Sequence, residues 1–185
     1  MSQRIRYIIK PPGAYTAFRE FAQQHGLRII DKVEREPRNP IALQEVFGNA
    51  ERTVGVHYIE DGLAEMPYIQ VAGPQAEHFA RLVEANLPVY STDEVLAAWD
   101  SASSIDDKVD SILRVGLVAN AVPSPPYLER IRAGLLDAAP EVRSAALTAY
   151  SYHPWNELRD VVEQIGRQDT DEDARERARV IAENW

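Results

Sequence analysis

The chain has 185 residues, 45% of them hydrophobic, enough for one large globular core or two small ones. A formal charge of −9 removes the net attraction to phosphate that drives non-specific binding of nucleic acid and anionic membranes. No apolar run approaches the roughly 20 residues that span a bilayer, and the absence of cysteine excludes disulfides, thiolate nucleophiles and cysteine metal sites.

RIRYIIK (residues 4–10) places Ile5, Tyr7 and Ile9 on one face before the breaker PPG, which predicts a first strand. The apolar part of this N-terminus is too short for a signal peptide, so a cytoplasmic protein is expected. AYTAFREFAQQHG then spaces Tyr15, Phe18, Phe21 and Ala22 as a short helix that stops at Gly26. LRIIDKVE reads as another strand, whereas REPRNPIALQEVFGN, with Pro37 and Pro40, is expected to be irregular or only briefly helical. RTVGVHYIED and MPYIQVAG flank the turn signal Asp61-Gly62 and read as an antiparallel pair. GPQAEHFARLVEANL supplies Phe79, Leu82 and Val83 at helix spacing, with Pro74 near the first turn.

From Ser91 the strand signal vanishes. STDE (residues 91–94) has the spacing of a capping box, and a second cap lies around residues 103–107. Everything beyond is helix after helix. The expected class is therefore α+β, with a small α/β region containing an antiparallel sheet over residues 1–90 and a helical region over 91–185.

The helical region repeats. DAAPEVRSAALTAY (137–150) over DTDEDARERARVIA (169–182) aligns Asp137 with Asp169, Arg143 with Arg175 and Ala146 with Ala178; Val142 steps back 33 residues to Val109. YLERIRAGLLDAA and NELRDVVEQIGRQ lie between, giving the order helix A, B, A, B, A: two and a half hairpins of A followed by B. Pro140 and Pro154 fall where a first helical turn tolerates the missing amide. D-x-x-P-E-V-R-x-A-A at 137–146 resembles the first-helix signature of bacterial HEAT-like repeats, including those of phycobilisome lyases, and the resemblance covers about residues 104–185. The first copy carries Asp110 where the arginine would be, and the last carries Glu172 for proline and Arg177 for the first alanine; terminal repeats are commonly atypical. The whole chain resembles bacterial proteins that place a small α/β region before such repeats, a family without an established activity. The resemblance implies a C-terminal α-solenoid. Within it, Ala145, Ala146 and Ala149 would let helices approach closely, Leu147, Leu158, Val161, Val162 and Ile165 would fill the layer between them, and an aspartate ahead of each A helix and an arginine within it would form a ladder from repeat to repeat, any exposed member of which would be worth about 0 to 1 kcal/mol.

Chemical motifs are sparse. His25, His57, His78 and His153 show no metal-binding spacing, and no nucleophile elbow, Walker loop or G-x-G-x-x-G occurs, so neither metal nor cofactor is expected. The carboxylate clusters Asp106-Asp107, Asp171-Glu172-Asp173 and Glu34 with Glu36 suit helix starts or solvated faces better than catalysis. HEAT-like repeats also build DNA glycosylases, which need a basic groove; the last 83 residues here carry 10 basic and 15 acidic side chains, so nucleic acid is not the expected partner.

Two functional readings follow. In the first, the chain is a non-enzymatic protein-binding module, in one version immunity- or antitoxin-like, taking a partner with a basic or neutral surface. Tyr150, Tyr152 and Trp155 are its candidate partner-binding residues, with Tyr127 and Trp185 as further aromatics, because tyrosine and tryptophan give large contact areas at low entropic cost. The plainer alternative is that Tyr152 and Trp155 staple a hairpin. The second reading is an enzyme with its site in a cleft between the α/β region and the repeats, built from His57, Glu60 and Asp61. On an alternating strand His57 is expected to face solvent, opposite Val56 and Tyr58.

Overall fold

A computed structural model describes residues 4–34 and 41–184; Glu36, Pro37, Pro40 and Trp185 lie outside the described residues. The class is α+β, and the contacts divide into two compact units with the boundary between Ser91 and Thr92.

The first unit contains strands β1 (Ile5–Ile8), β2 (Arg28–Glu34), β3 (Ile41–Gly48), β4 (Gly55–Asp61) and β5 (Met66–Ala72), with helices α1 (Ala14–Gln24) and α2 (Ala76–Asn86). The sheet is antiparallel throughout, in the order β1-β5-β4-β3-β2. Phe18, Phe21 and Ala22 of α1 and Phe79 and Val83 of α2 form one core with Ile9, Phe47, Val56, Tyr58, Ile69 and Val71, so both helices serve one face of the sheet. Gly26 ends the first helix at φ 66°, a conformation that costs glycine little.

Strand β3 corrects the expectation of an irregular or helical stretch. Leu43, Glu45 and Phe47 share the helix-covered face, so a carboxylate occupies an inward position and spoils the apolar alternation. Glu45 is only 3% exposed. It accepts from Tyr15 Oη at 3.0 Å and pairs with Arg19 at 3.5 Å and Lys32 at 3.8 Å, partners supplied by α1 and β2. Those groups make the buried charge tolerable, and they lie too far along the chain for a local pattern to reveal.

The second unit contains α3 (Thr92–Asp100), α4 (Ile105–Val118), α5 (Pro125–Leu135), α6 (Pro140–Ser151), α7 (Arg159–Gln168) and α8 (Glu172–Glu183), with a 3₁₀ turn at Asn156–Leu158 leading into α7. Ser104 and Asp107 form a reciprocal capping box at the start of α4, and Asp171 caps α8. Pro140 opens α6 as its first residue, whereas Pro154 stands in the connection before the 3₁₀ turn.

The pairing of these helices differs from the A-then-B hairpins expected. α3 packs on α4, α5 on α6 and α7 on α8, while α4, α6 and α8 line up side by side as one layer. Each hairpin is therefore B followed by A, and α3 completes the first. In the other layer Arg130 of α5 pairs with Asp100 of α3, and Arg132 Nη2 donates to the Glu157 carbonyl at 2.8 Å. Small residues set the close contacts of α6 on two sides: a Cβ on Gly116 of α4 would stand 2.5 Å from Ala149 Cβ, and one on Gly134 of α5 would stand 2.9 Å from Ala146 Cβ. Ala145, Ala146 and Ala149 are all buried, as are Leu147, Leu158, Val162 and Ile165.

Candidate functional site

Tyr150, Tyr152 and Trp155 close the connection between α6 and α7. Tyr150 is fully buried and Trp155 is 4% exposed; Tyr152 is half-buried. Tyr150 Oη donates to the Trp155 carbonyl at 3.3 Å, and Trp155 Nε1 donates to the Asn120 carbonyl at 3.1 Å, just past the end of α4. The indole thus satisfies a backbone carbonyl in the turn that follows α4. Burial pushes the Tyr150 phenol well above its ordinary pKa. Two of the three aromatics proposed from sequence consequently point inward and offer no exposed hot spot.

His57, Glu60 and Asp61 do not converge either. Alternation along β4 puts His57 and Glu60 on opposite faces. His57 sits opposite Val56 and Tyr58, yet it is half-buried rather than free in solvent. Its Nδ1 lies 3.2 Å from Gln44 Nε2, and burial, then the charge of Arg4, lower its pKa against a smaller opposing effect of Asp31. Glu60 lies on the other side and accepts from Tyr58 Oη at 3.4 Å. Asp61 is 5% exposed; its Oδ1 accepts from the Leu63 and Ala64 amides, both at 2.8 Å, so the carboxylate builds the β4–β5 turn. Among the described residues no group of three or more His, Cys, Asp or Glu side chains is placed to hold a metal, and no helix is long and apolar enough to cross a membrane.

The helical unit brings other residues together. Lys108 Nζ, in the first turn of α4, bonds Asp137 Oδ2 at 2.6 Å, just ahead of α6. Arg143, in the first turn of α6, binds Asp169 through Nε and Nη2 at 2.7 and 2.6 Å, ahead of α8, and its Nη1 caps the Asp137 and Ala138 carbonyls at 3.0 and 2.9 Å. Arg175 repeats that cap on the Asp169 carbonyl. Burial raises the Asp137 carboxyl, and the bonds from Lys108 and the Ala139 amide more than offset this, leaving it below the usual range. Asp169 is held low chiefly by Arg143, against a smaller effect of burial. The expected aspartate–arginine ladder forms, and its central rung is largely buried, with Asp169 5% and Arg143 12% exposed at the side chain, so it is not one of the exposed pairs that contribute little.

Lys108 stands two residues before Asp110, the position where repeat alignment puts the missing arginine. Asp110 instead pairs with Arg114 on its own helix. Alignment by fixed offset therefore missed the first rung, although a basic residue in the first turn of each A helix was the visible signal.

These rungs hold the N-termini of α4, α6 and α8 along one edge. Their first turns carry Asp106 and Asp107, Glu141, and Glu172 and Asp173, all exposed. Ile105 and Leu136 are 47% and 61% exposed, and the Lys108–Asp137 rung ties the turn bearing one to the residue after the other. Comparison with protein-family models, curated proteins and solved structures returns no match to this chain.

Proposed function

We propose that the chain is a non-catalytic protein-binding adaptor whose helical unit is a short α-solenoid of HEAT-like hairpins, acting in the cytoplasm. The observation that carries the reading is the common edge of α4, α6 and α8, where exposed Ile105 and Leu136 sit among five exposed carboxylates. Apolar contacts inside a charged rim are the usual composition of a protein interface, and the sign of this rim selects a partner with a basic surface. The two-layer packing and the buried Arg143–Asp169 rung support a rigid scaffold for that edge. His57 and Glu60 stand on opposite faces of β4, which favours the binding reading over a site built from these two side chains.

The test is affinity purification from the native cell at low and at raised salt. A basic protein retained at low salt and released as salt screens the contacts supports the proposal. Recovery of no protein at low salt contradicts it.

A further inference from the structure

We propose that the hollow above Gly48 and Gly55, on the sheet face away from α1 and α2, binds a small organic carboxylate with a short branched apolar tail. The sequence makes this hollow by omission. Gly48 of β3 pairs with Gly55 of β4, and Gly55 pairs with Ala72 of β5, so three neighbouring strands carry almost no side chain along one row. The adjacent positions Phe47, Val56 and Val71 belong to the core with the helices, and alternation turns the small-residue row to the other face. Ile30 reaches in over Gly48, with its Cδ1 3.0 Å from where a Cβ would stand. With Val46, Arg52, Thr53 and His57 it bounds about 530 Å³, a volume within the range of small-molecule sites.

His57 is held there as a hydrogen-bond donor. Gln44 Nε2 lies 3.2 Å from His57 Nδ1; an amide nitrogen can only donate, so Nδ1 accepts and the neutral ring carries its proton on Nε2. Burial, then the charge of Arg4, lower the His57 pKa and keep the ring neutral at pH 7. Nε2 stands 3.5 Å from the place a Cβ on Gly55 would take, so the N–H lies over the glycine floor, and among the described residues it meets no acceptor.

Arg52 supplies the charge. It stands at φ 55°, where glycine or asparagine is the cheaper residue, in a turn that Asn49 locks. Asn49 Oδ1 accepts from Thr53 N at 2.9 Å, and Arg52 N donates to the Asn49 carbonyl at 3.1 Å. Among the described residues the Arg52 guanidinium has no partner of its own. No carboxylate lines the hollow, and Asp31 acts on the His57 ring more weakly than Arg4 does. One imidazole N–H and one unpaired guanidinium fork match a single planar carboxylate, whereas an ammonium ion would face two donors and a positive charge. Ile30, 61% exposed, and Val46 form the apolar wall that a tail beside that carboxylate would cover. The hollow belongs to the sheet unit, and its test does not involve the acidic helical edge.

The experiment titrates the full chain with isovalerate, acetate and isoamylamine at constant ionic strength and follows the imidazole signals by NMR, with His57 assigned by the signals lost in His57→Gln. Isovalerate is expected to move the His57 signals saturably with a Kd of about 1–10 mM, the range open to a ligand of so few atoms. Acetate lacks the tail and should bind about tenfold more weakly. Arg52→Gln should weaken isovalerate about tenfold, the loss of one charge-assisted bond, with the other histidine signals unchanged. Absence of a saturable shift below about 100 mM isovalerate, an equal shift with isoamylamine, equal binding of acetate, or undiminished binding by Arg52→Gln each overturns the proposal.

Discussion

Arg143 on α6 holds both carboxylate oxygens of Asp169 and, through its remaining nitrogen, the carbonyls of Asp137 and Ala138. One side chain thereby closes the loop ahead of its own helix and the loop ahead of the next. Arg143→Ala would leave Asp169 nearly enclosed without its cation. The expected loss lies between that of an exposed pair and that of a fully buried one, about 2–3 kcal/mol in urea unfolding. A loss under about 0.5 kcal/mol would mean that the rung contributes no more than a surface pair.

The same ladder predicts a direction for acid sensitivity. Asp137 and Asp169 have folded pKa values below their unfolded ones, so their stabilisation is fully present above the unfolded carboxylate range, near pH 4, and is lost as pH falls through the folded values. Asp169→Asn should therefore be less stable than wild type at neutral pH and approach it as the pH is lowered below about 4. Urea midpoints measured across that range check the convergence.

Gly116 predicts a substitution that local preference gets backwards. Alanine in place of a mid-helix glycine normally gains about 1 kcal/mol. Here the new Cβ would meet the backbone and Cβ of Ala149, the latter at 2.5 Å, so α4 and α6 would have to separate. Gly116→Ala should lower thermal stability by about 1–3 kcal/mol equivalent, the cost of overpacking.

Trp155→Phe should keep most of the packing and lose the bond to the Asn120 carbonyl, destabilising the chain by about 1–2 kcal/mol. Trp155→Leu should in addition reduce the blue-shifted part of the tryptophan emission that a residue 4% exposed contributes. Emission unchanged by that substitution would contradict an inward indole.

Much of this architecture can be read from local pattern. Ser104 and Pro140 announce helix starts with groups that act within a few residues, and the alternation of Val56 and Tyr58 against His57 marks β4. What escapes local reading depends on distant partners. Glu45 hides β3 because Tyr15, Arg19 and Lys32 are invisible from its neighbourhood. The hairpin register escapes because a helix start does not say which neighbour the helix will choose; α7 takes α8, and the Tyr150–Trp155 turn becomes a link between hairpins. The functional surfaces are the least legible. Aromatics that look like a hot spot were drawn inward by Asn120 and by each other, while Ile105 and Leu136 stand exposed.

The most direct test of the adaptor proposal compares partner recovery by wild type with that by Asp106→Lys/Glu141→Lys/Glu172→Lys, three exposed substitutions spread over the first turns of α4, α6 and α8. The proposal predicts that a basic partner captured by wild type at low salt is lost by a triple variant that remains folded by circular dichroism. Equal recovery of that partner by the folded triple variant would contradict it.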